Sequence, residues 1–121
     1  MNKIVKVGII GLGARTETLL ASLVAIDDVE VVAVCDLLKE RIEKIVNILT
    51  NHGKPKPKTF IDYHDMLVYE EVEAIFVPTS WNSHLSIATD CMEADKYVAI
   101  EVGGAASVDE LWKLMHVYER T

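Results

Sequence analysis

Ile4-Val5-Lys6-Val7-Gly8-Ile9-Ile10, followed at once by Gly11-Leu12-Gly13-Ala14-Arg15-Thr16, is the stretch from which the fold is read. Up to Ile10 the residues are nearly all apolar and β-branched, the composition of a strand buried on both faces, as parallel sheets require. The glycines then turn the chain. Leu19, Leu20, Leu23 and Ile26 recur at helical spacing, Asp27-Asp28 closes that run, and Val29 to Cys35 resumes β composition. Strand, glycine turn, helix, strand is one βαβ unit.

The alternation continues outward from it. Leu38, Ile42, Ile45 and Leu49 mark the buried face of a second helix, Lys39, Glu40, Glu43 and Lys44 its wet face, and Gly53 stands where a left-handed C-terminal residue belongs. Lys54-Pro55-Lys56-Pro57-Lys58 cannot be helical and reads as an exposed loop that shields a neighbouring edge strand. A short strand is expected around Thr59-Phe60-Ile61, with Asp62 capping a helical turn through Met66 and Leu67, and a further strand over Val72 to Val77. Asn82 or Ser83 starts a helix with Leu85, Ala88 and Met92 on one face, Asp95-Lys96 breaks it, and Tyr97-Val98-Ala99-Ile100 makes a fifth strand. Ser107 and Glu110 match a capping box before a last helix with Leu111, Leu114, Met115 and Tyr118 on its buried stripe. The pattern predicts an α/β fold: a Rossmann-type doubly wound parallel sheet with helices on both faces.

With 121 residues, half of them apolar, the chain has the size of one domain, residues 1–121. An enzyme using a bound cofactor would be expected to draw its substrate pocket from a second domain outside it. Twelve basic against 19 acidic side chains give a net charge of −7, which repels phosphate backbones and makes nucleic acid an unsuitable partner. No apolar run is long enough to span a bilayer, so no membrane partner is expected. Lys3 and Lys6 precede apolar residues, but the glycines and Arg15 interrupt any signal-peptide core. Cys35 and Cys91 sit within apolar patterns without metal-ligand spacing, as reduced buried thiols do. A cytoplasmic protein without a metal site is the expectation.

The strongest chemical signal is Gly11-Leu12-Gly13 between a strand and a helix, with Asp36 ending the next strand. Gly11 allows a tight turn, Gly13 lets backbone approach a pyrophosphate, and the helix N-terminus offers free N–H groups and a positive dipole. Asp36 would accept both ribose hydroxyls of an adenosine and repel a 2′-phosphate, so NAD is expected over NADP. The plainer reading is a glycine turn with an aspartate capping the second helix. Thr16 stands where the third motif glycine belongs, and Arg15 is read either over the pyrophosphate or paired with Glu17 or another carboxylate. Thr79, Ser80, Trp81 and His84 should lie at the carboxyl end of the fourth strand, on the same sheet edge. Trp81 would wall an adenine or nicotinamide ring, and His84 would donate to the cofactor or cap its helix. His52, His64 and His116 show no partner spacing, and Trp112 reads as packing under the last helix.

The chain resembles the N-terminal domain of the glucose-fructose oxidoreductase, inositol dehydrogenase and MocA family. The resemblance covers nearly every residue and rests on Gly11-Leu12-Gly13-Ala14-Arg15, on Cys35-Asp36, on Thr79 followed by His84, and on Tyr97-Val98-Ala99-Ile100-Glu101, where the family usually writes a strand ending in Glu-Lys-Pro. It implies an NAD(P)-dependent oxidoreductase acting on sugars, cyclitols or similar polyols. It also implies a following α/β domain that forms the substrate pocket and usually a homo-oligomer interface. Gly11, Leu12, Gly13 and Arg15 would then meet the pyrophosphate, Asp36 the adenosine ribose, and Thr79, Trp81, His84 and Glu101 the nicotinamide half. Glu101 has an alternative as a strand-end carboxylate capping a turn.

Val102 stands where that motif places its catalytic lysine, and Gly103 replaces the proline. Valine cannot transfer a substrate proton, so ordinary alcohol dehydrogenation would need an acid-base group from elsewhere. Thr79-Ser80-Trp81 before His84, Glu101-Val102 and Asp109-Glu110-Leu111-Trp112 look like the NAD-dependent α-N-acetylgalactosaminidase branch. That branch consists of glycosidases that oxidise the sugar transiently to ease elimination. A non-catalytic NAD-binding sensor is the third possibility.

Overall fold

The computed structural model of the protein describes residues 4–78, 84–100 and 108–121. Five strands and five helices alternate along them: β1 Val5–Ile10, α1 Ala14–Leu23, β2 Val29–Cys35, α2 Lys39–Asn51, β3 Lys58–Phe60, α3 Tyr63–Leu67, β4 Ala74–Val77, α4 His84–Glu93, β5 Tyr97–Ile100 and α5 Val108–Arg120. Every strand pairing is parallel, in the order β3-β2-β1-β4-β5. The chain therefore winds outward from β1 to β3, returns, and winds the other way through β4 and β5. The point of reversal lies beside β1, at the carboxyl edge where doubly wound sheets bind ligands.

Period-two alternation sends neighbouring residues of the central strands into two cores. Ile9 and Val34 face Leu20, Leu23, Ile42, Ile45 and Leu49 of α1 and α2. Ile10, Ala33, Cys35, Ile75 and Val77 face Met66, Ile87 and Cys91 of α3 and α4. A helix layer on each face is what near-continuous apolar strands demand. At Gly8 the sheet has no room for a side chain, because a Cβ would stand 3.0 Å from Met66 Sδ and 3.3 Å from Val72 Cγ1.

The expected fold is the observed one, with local corrections. Ile26 falls after α1 and is exposed, since the helix stops at Leu23 and residues 24–28 turn back toward β2. Leu38 caps α2 from outside the helix and is also exposed. Gly53 has φ +76°, as read from its place after α2. The Lys-Pro loop does precede an edge strand, but Pro57 within it is buried. Val72 is buried ahead of β4 rather than within it.

The last helix departs most from expectation. Trp112, Met115 and Tyr118 are exposed, and among the described side chains of this helix Val117 is buried, the side chains of Leu111 and Leu114 lying outside those described. α5 packs on α4, and the apolar residues at 112, 115 and 118 lie off the part of the helix that this contact covers. Ser107 lies outside the described residues, and so do the first positions proposed for the start of α4.

Candidate functional site

The carboxyl ends of β1 and β2 open into a cavity of about 910 Å³. Gly11, Leu12 and Gly13 form one side; Asp36, Leu37, Leu38 and Arg41 form another; Ile61, Asp62 and Tyr63 close it from the loop after β3, and Pro78, Ser86 and Ile87 from the α4 side. That size is ordinary for small-molecule and cofactor sites.

The glycine turn is built by hydrogen bonds to β2, to Asp36 and within α1. Gly11 has φ +99°, a conformation closed to most side chains, and its N–H donates to the Cys35 carbonyl at 2.9 Å. Thr16, fully buried, donates from Oγ1 back to the Gly11 carbonyl at 2.5 Å. The residue that departs from the three-glycine pattern thus braces the turn. Gly13 is the N-cap of α1, which has no side-chain cap, and the positive end of the helix dipole lies beside the cavity that Gly13 lines. Its φ of −82° suits any residue, and a Cβ there would meet nothing nearer than Arg41 Nη1 at 4.0 Å. The protein's own packing does not require glycine at 13.

Asp36 is buried at the end of β2 and fixed from two sides. Oδ2 accepts the Leu12 N–H at 2.8 Å and Oδ1 accepts the Leu38 N–H at 2.8 Å, so one carboxylate ties the glycine turn to the start of α2. The helix cap weighed from sequence is not formed, since α2 has Leu38 as N-cap and no side-chain cap; Asp36 instead binds the N–H of Leu38 just ahead of the helix, and the same side chain lines the cavity. Arg41 approaches it, with Nη1 3.7 Å from Oδ2. Arg15 is exposed on α1, outside the ring of described lining residues, while Glu17 pairs with Lys44 of α2 at 3.0 Å. Leu12 is buried and contributes its backbone N–H to Asp36.

Thr79, Trp81, His84 and Glu101 are the residues assigned to the nicotinamide half. Thr79 and Trp81 follow β4 and Glu101 follows β5, all outside the described residues, as is Val102; His84 opens α4. Sequence reading missed the wall after β3. There Asp62 caps α3 by accepting the His64 N–H at 2.9 Å, and His64 Nδ1 lies 2.8 Å from the same carboxylate. His64 also has Nε2 3.7 Å from Asp90 Oδ2, so the expectation that it lacks partners is corrected: one partner is two residues away and the other comes from α4. Tyr63 donates to Asp90, and burial followed by that bond pushes its phenol above the ordinary tyrosine range. Asp62 is held below the usual carboxylate range by the His64 backbone N–H and then by its ring. Arg41, five residues after Asp36, was the one signal legible in advance, as a cation at helical reach of the strand-end carboxylate.

Among the described residues no group of three or more His, Cys, Asp or Glu side chains is arranged to hold a metal ion. No described helix is long and apolar enough to cross a membrane.

Fold and turn together define a dinucleotide-binding Rossmann domain. The family model described as an oxidoreductase family with NAD-binding Rossmann fold matches residues 5–121, and the chain belongs to that glucose-fructose oxidoreductase, inositol dehydrogenase and MocA family. A glycosyl hydrolase family 109 protein of Bacteroides thetaiotaomicron is 35% identical over 121 residues, covering 97% of this chain and 26% of that protein. The chain thus spans about a quarter of the length of the curated relatives it matches. Among solved structures, an NAD-binding protein from Listeria innocua superposes with TM-score 0.81 at 28% identity, over 98% of this chain and 32% of that one. Apo scyllo-inositol dehydrogenase from Lactobacillus casei superposes with TM-score 0.88 at 20% identity, over 99% and 35%, which shows the shared fold.

Proposed function

We propose that this NAD-binding domain serves an enzyme that moves a hydride between nicotinamide and a sugar, cyclitol or related polyol, with NAD preferred to NADP. The observation that carries the nucleotide reading is Gly13: a glycine at an uncapped helix start, in a conformation any residue adopts, facing a cavity that the fixed carboxylate of Asp36 also lines. A pyrophosphate fits against the α1 N-terminus and a ribose diol against the remaining lone pairs of Asp36. NAD, when bound, supplies the hydride acceptor. This chain's residues bind and orient it.

A second reading, the NAD-dependent glycosidase, is favoured by the glycosyl hydrolase relatives at 31–35% identity and by Val102 in place of the family lysine. Both readings need a hydride taken from a sugar carbon; they differ in whether it is returned within the same turnover. The substrate pocket, its acid-base groups and any homo-oligomer interface are assigned to the parts of the relatives that this chain does not span. A cytoplasmic location is supported by the two buried free thiols, Cys35 and Cys91.

Calorimetry and thermal shift with NAD and NADP test the binding claim: saturating NAD at a hundred times its Kd should stabilise the fold by about 2.7 kcal/mol. Absence of any NAD-dependent shift would remove it. For the protein containing this domain, net NADH formation from polyols supports the oxidoreductase. Release of sugar from aryl N-acetylgalactosaminides without NADH accumulation supports the glycosidase.

A further inference from the structure

The chain after β3 brings His64 between two carboxylates. Its Nδ1 lies 2.8 Å from Asp62 Oδ1, and its Nε2 lies 3.7 Å from Asp90 Oδ2 of α4, within ion-pair reach though longer than a hydrogen bond. Tyr63 donates its hydroxyl to that same Asp90 oxygen, and its ring stacks on the imidazole with centroids 4.1 Å apart. Asp62 and Tyr63 line the cavity, as do Ser86 and Ile87, one helical turn before Asp90 on α4. We propose, resting on the reading of this cavity as a dinucleotide site, that His64 is a positioning residue: its protonated ring clamps the wall after β3 to α4, so that the dinucleotide binds more tightly as the solution becomes acidic.

A neutral imidazole has one N–H and one lone pair, so with a carboxylate at each nitrogen it donates to one and turns the lone pair toward the other. The imidazolium donates to both. Histidine changes charge between pH 5 and 8. Around it, Asp62 is kept ionised by the His64 backbone N–H and ring, and burial followed by the bond to Asp90 keeps the Tyr63 phenol protonated. The thiols packed in the adjoining core, Cys35 of β2 and Cys91 of α4, are pushed up to about 12. Asp65 shares the short helix α3, Lys58 of β3 holds its ammonium over the rings of Phe60 and Tyr69, and Glu93 of α4 pairs with Arg120. Across the cavity stand Asp36 and Arg41, 3.7 Å apart. Two effects of protonation then share one sign. The clamp fixes the wall before a ligand arrives, which lowers the ordering cost of binding. The cation also offsets the charge of Asp62 at a cavity that takes an anionic dinucleotide. The side chains of His64 and Asp62 are 62% and 61% exposed, so solvent screening keeps the gain small.

Calorimetry with NAD at about pH 5.5 and about pH 8 on the wild type, His64→Gln and Asp90→Asn decides it. The wild type is expected to bind about threefold more tightly at the lower pH. In both variants, which retain His52, His84 and His116, that ratio should fall to near one; Asn at 90 still accepts the Tyr63 hydroxyl but carries no charge. A wild-type ratio near one, or a ratio that survives in His64→Gln, overturns the inference and leaves NAD binding intact. Urea unfolding of the same variants and of the double variant, without ligand, reads the clamp itself: coupling between positions 64 and 90 should be present at the lower pH and lost at the higher. Equal coupling at both would make the pair a fixed structural contact and overturn the inference. Coupling that responds to pH in a protein that binds no NAD at either pH defeats the dinucleotide reading, and the positioning role with it.

Discussion

The hydroxyl of Thr16 donates to the carbonyl of Gly11 across the first turn of α1, which converts a departure from the glycine pattern into a brace. In the usual pattern the third glycine lets the helix close on the strand. Here the side chain is fully buried and spends its polar atom on a carbonyl whose residue sits at φ +99°. Thr16→Val, of nearly the same shape, should leave that carbonyl unsatisfied and cost about 1–3 kcal/mol in urea unfolding. Thr16→Ser should retain much of the difference. A valine variant as stable as the parent would show that the bond contributes nothing.

Asp95 ends the turn after α4 with φ 62°, and its neighbour Lys96 donates from Nζ to the carbonyls of Val72 and Tyr69. The left-handed conformation strains an L side chain, aspartate less than most, whereas glycine adopts it freely but loses more conformational entropy on folding. Asp95→Gly is expected to raise stability by about 0.5 kcal/mol, read as a shift of the denaturation midpoint without a change in slope. A loss of stability would mean that the aspartate side chain makes a contact worth more than the strain.

The order of elements was legible because every strand but the polar edge strand β3 is a short, largely apolar run punctuated by glycine, proline or acidic residues, and each long helix has its own period. Gly11, Gly13 and Asp36 were legible for the same reason: their spacing is set by one βαβ unit, a local feature. What escaped was non-local. Nothing in the neighbourhood of His64 announces Asp90, 26 residues on, and Asp62 and Tyr63 reach the cavity only because β3 pairs with β2 and ends beside Cys35. The exposed stripe of Trp112, Met115 and Tyr118 misled for a related reason, since periodicity shows that a helix has an apolar face without showing how much of it is covered.

Both cysteines should resist alkylation in the folded state. Burial, reinforced by Asp36 beside Cys35 and by Asp90 beside Cys91, pushes each thiol up to about 12, so almost no thiolate exists at pH 8. Mass spectrometry after iodoacetamide treatment at that pH is expected to find both unmodified in native protein and both labelled in urea. Rapid native labelling of either would contradict the packing of that residue.

Asp62 gives the fold a defined acid sensitivity. Its carboxylate accepts the His64 N–H at the start of α3 and contacts the His64 ring, which lies 3.7 Å from Asp90 and stacks on Tyr63. These bonds favour the ionised form, so the folded-state pKa lies below the ordinary 3.8. The stabilisation is therefore fully present above 3.8 and is lost as pH falls through the lower folded value. Asn caps helices as well as Asp does but carries no charge. Asp62→Asn should then be less stable than the parent near neutrality, with the gap closing as the solution is taken below pH 3.8. Urea unfolding at a series of pH values measures it. A gap that stays constant with pH would assign the effect to shape or hydrogen bonding and deny the charge any part in it.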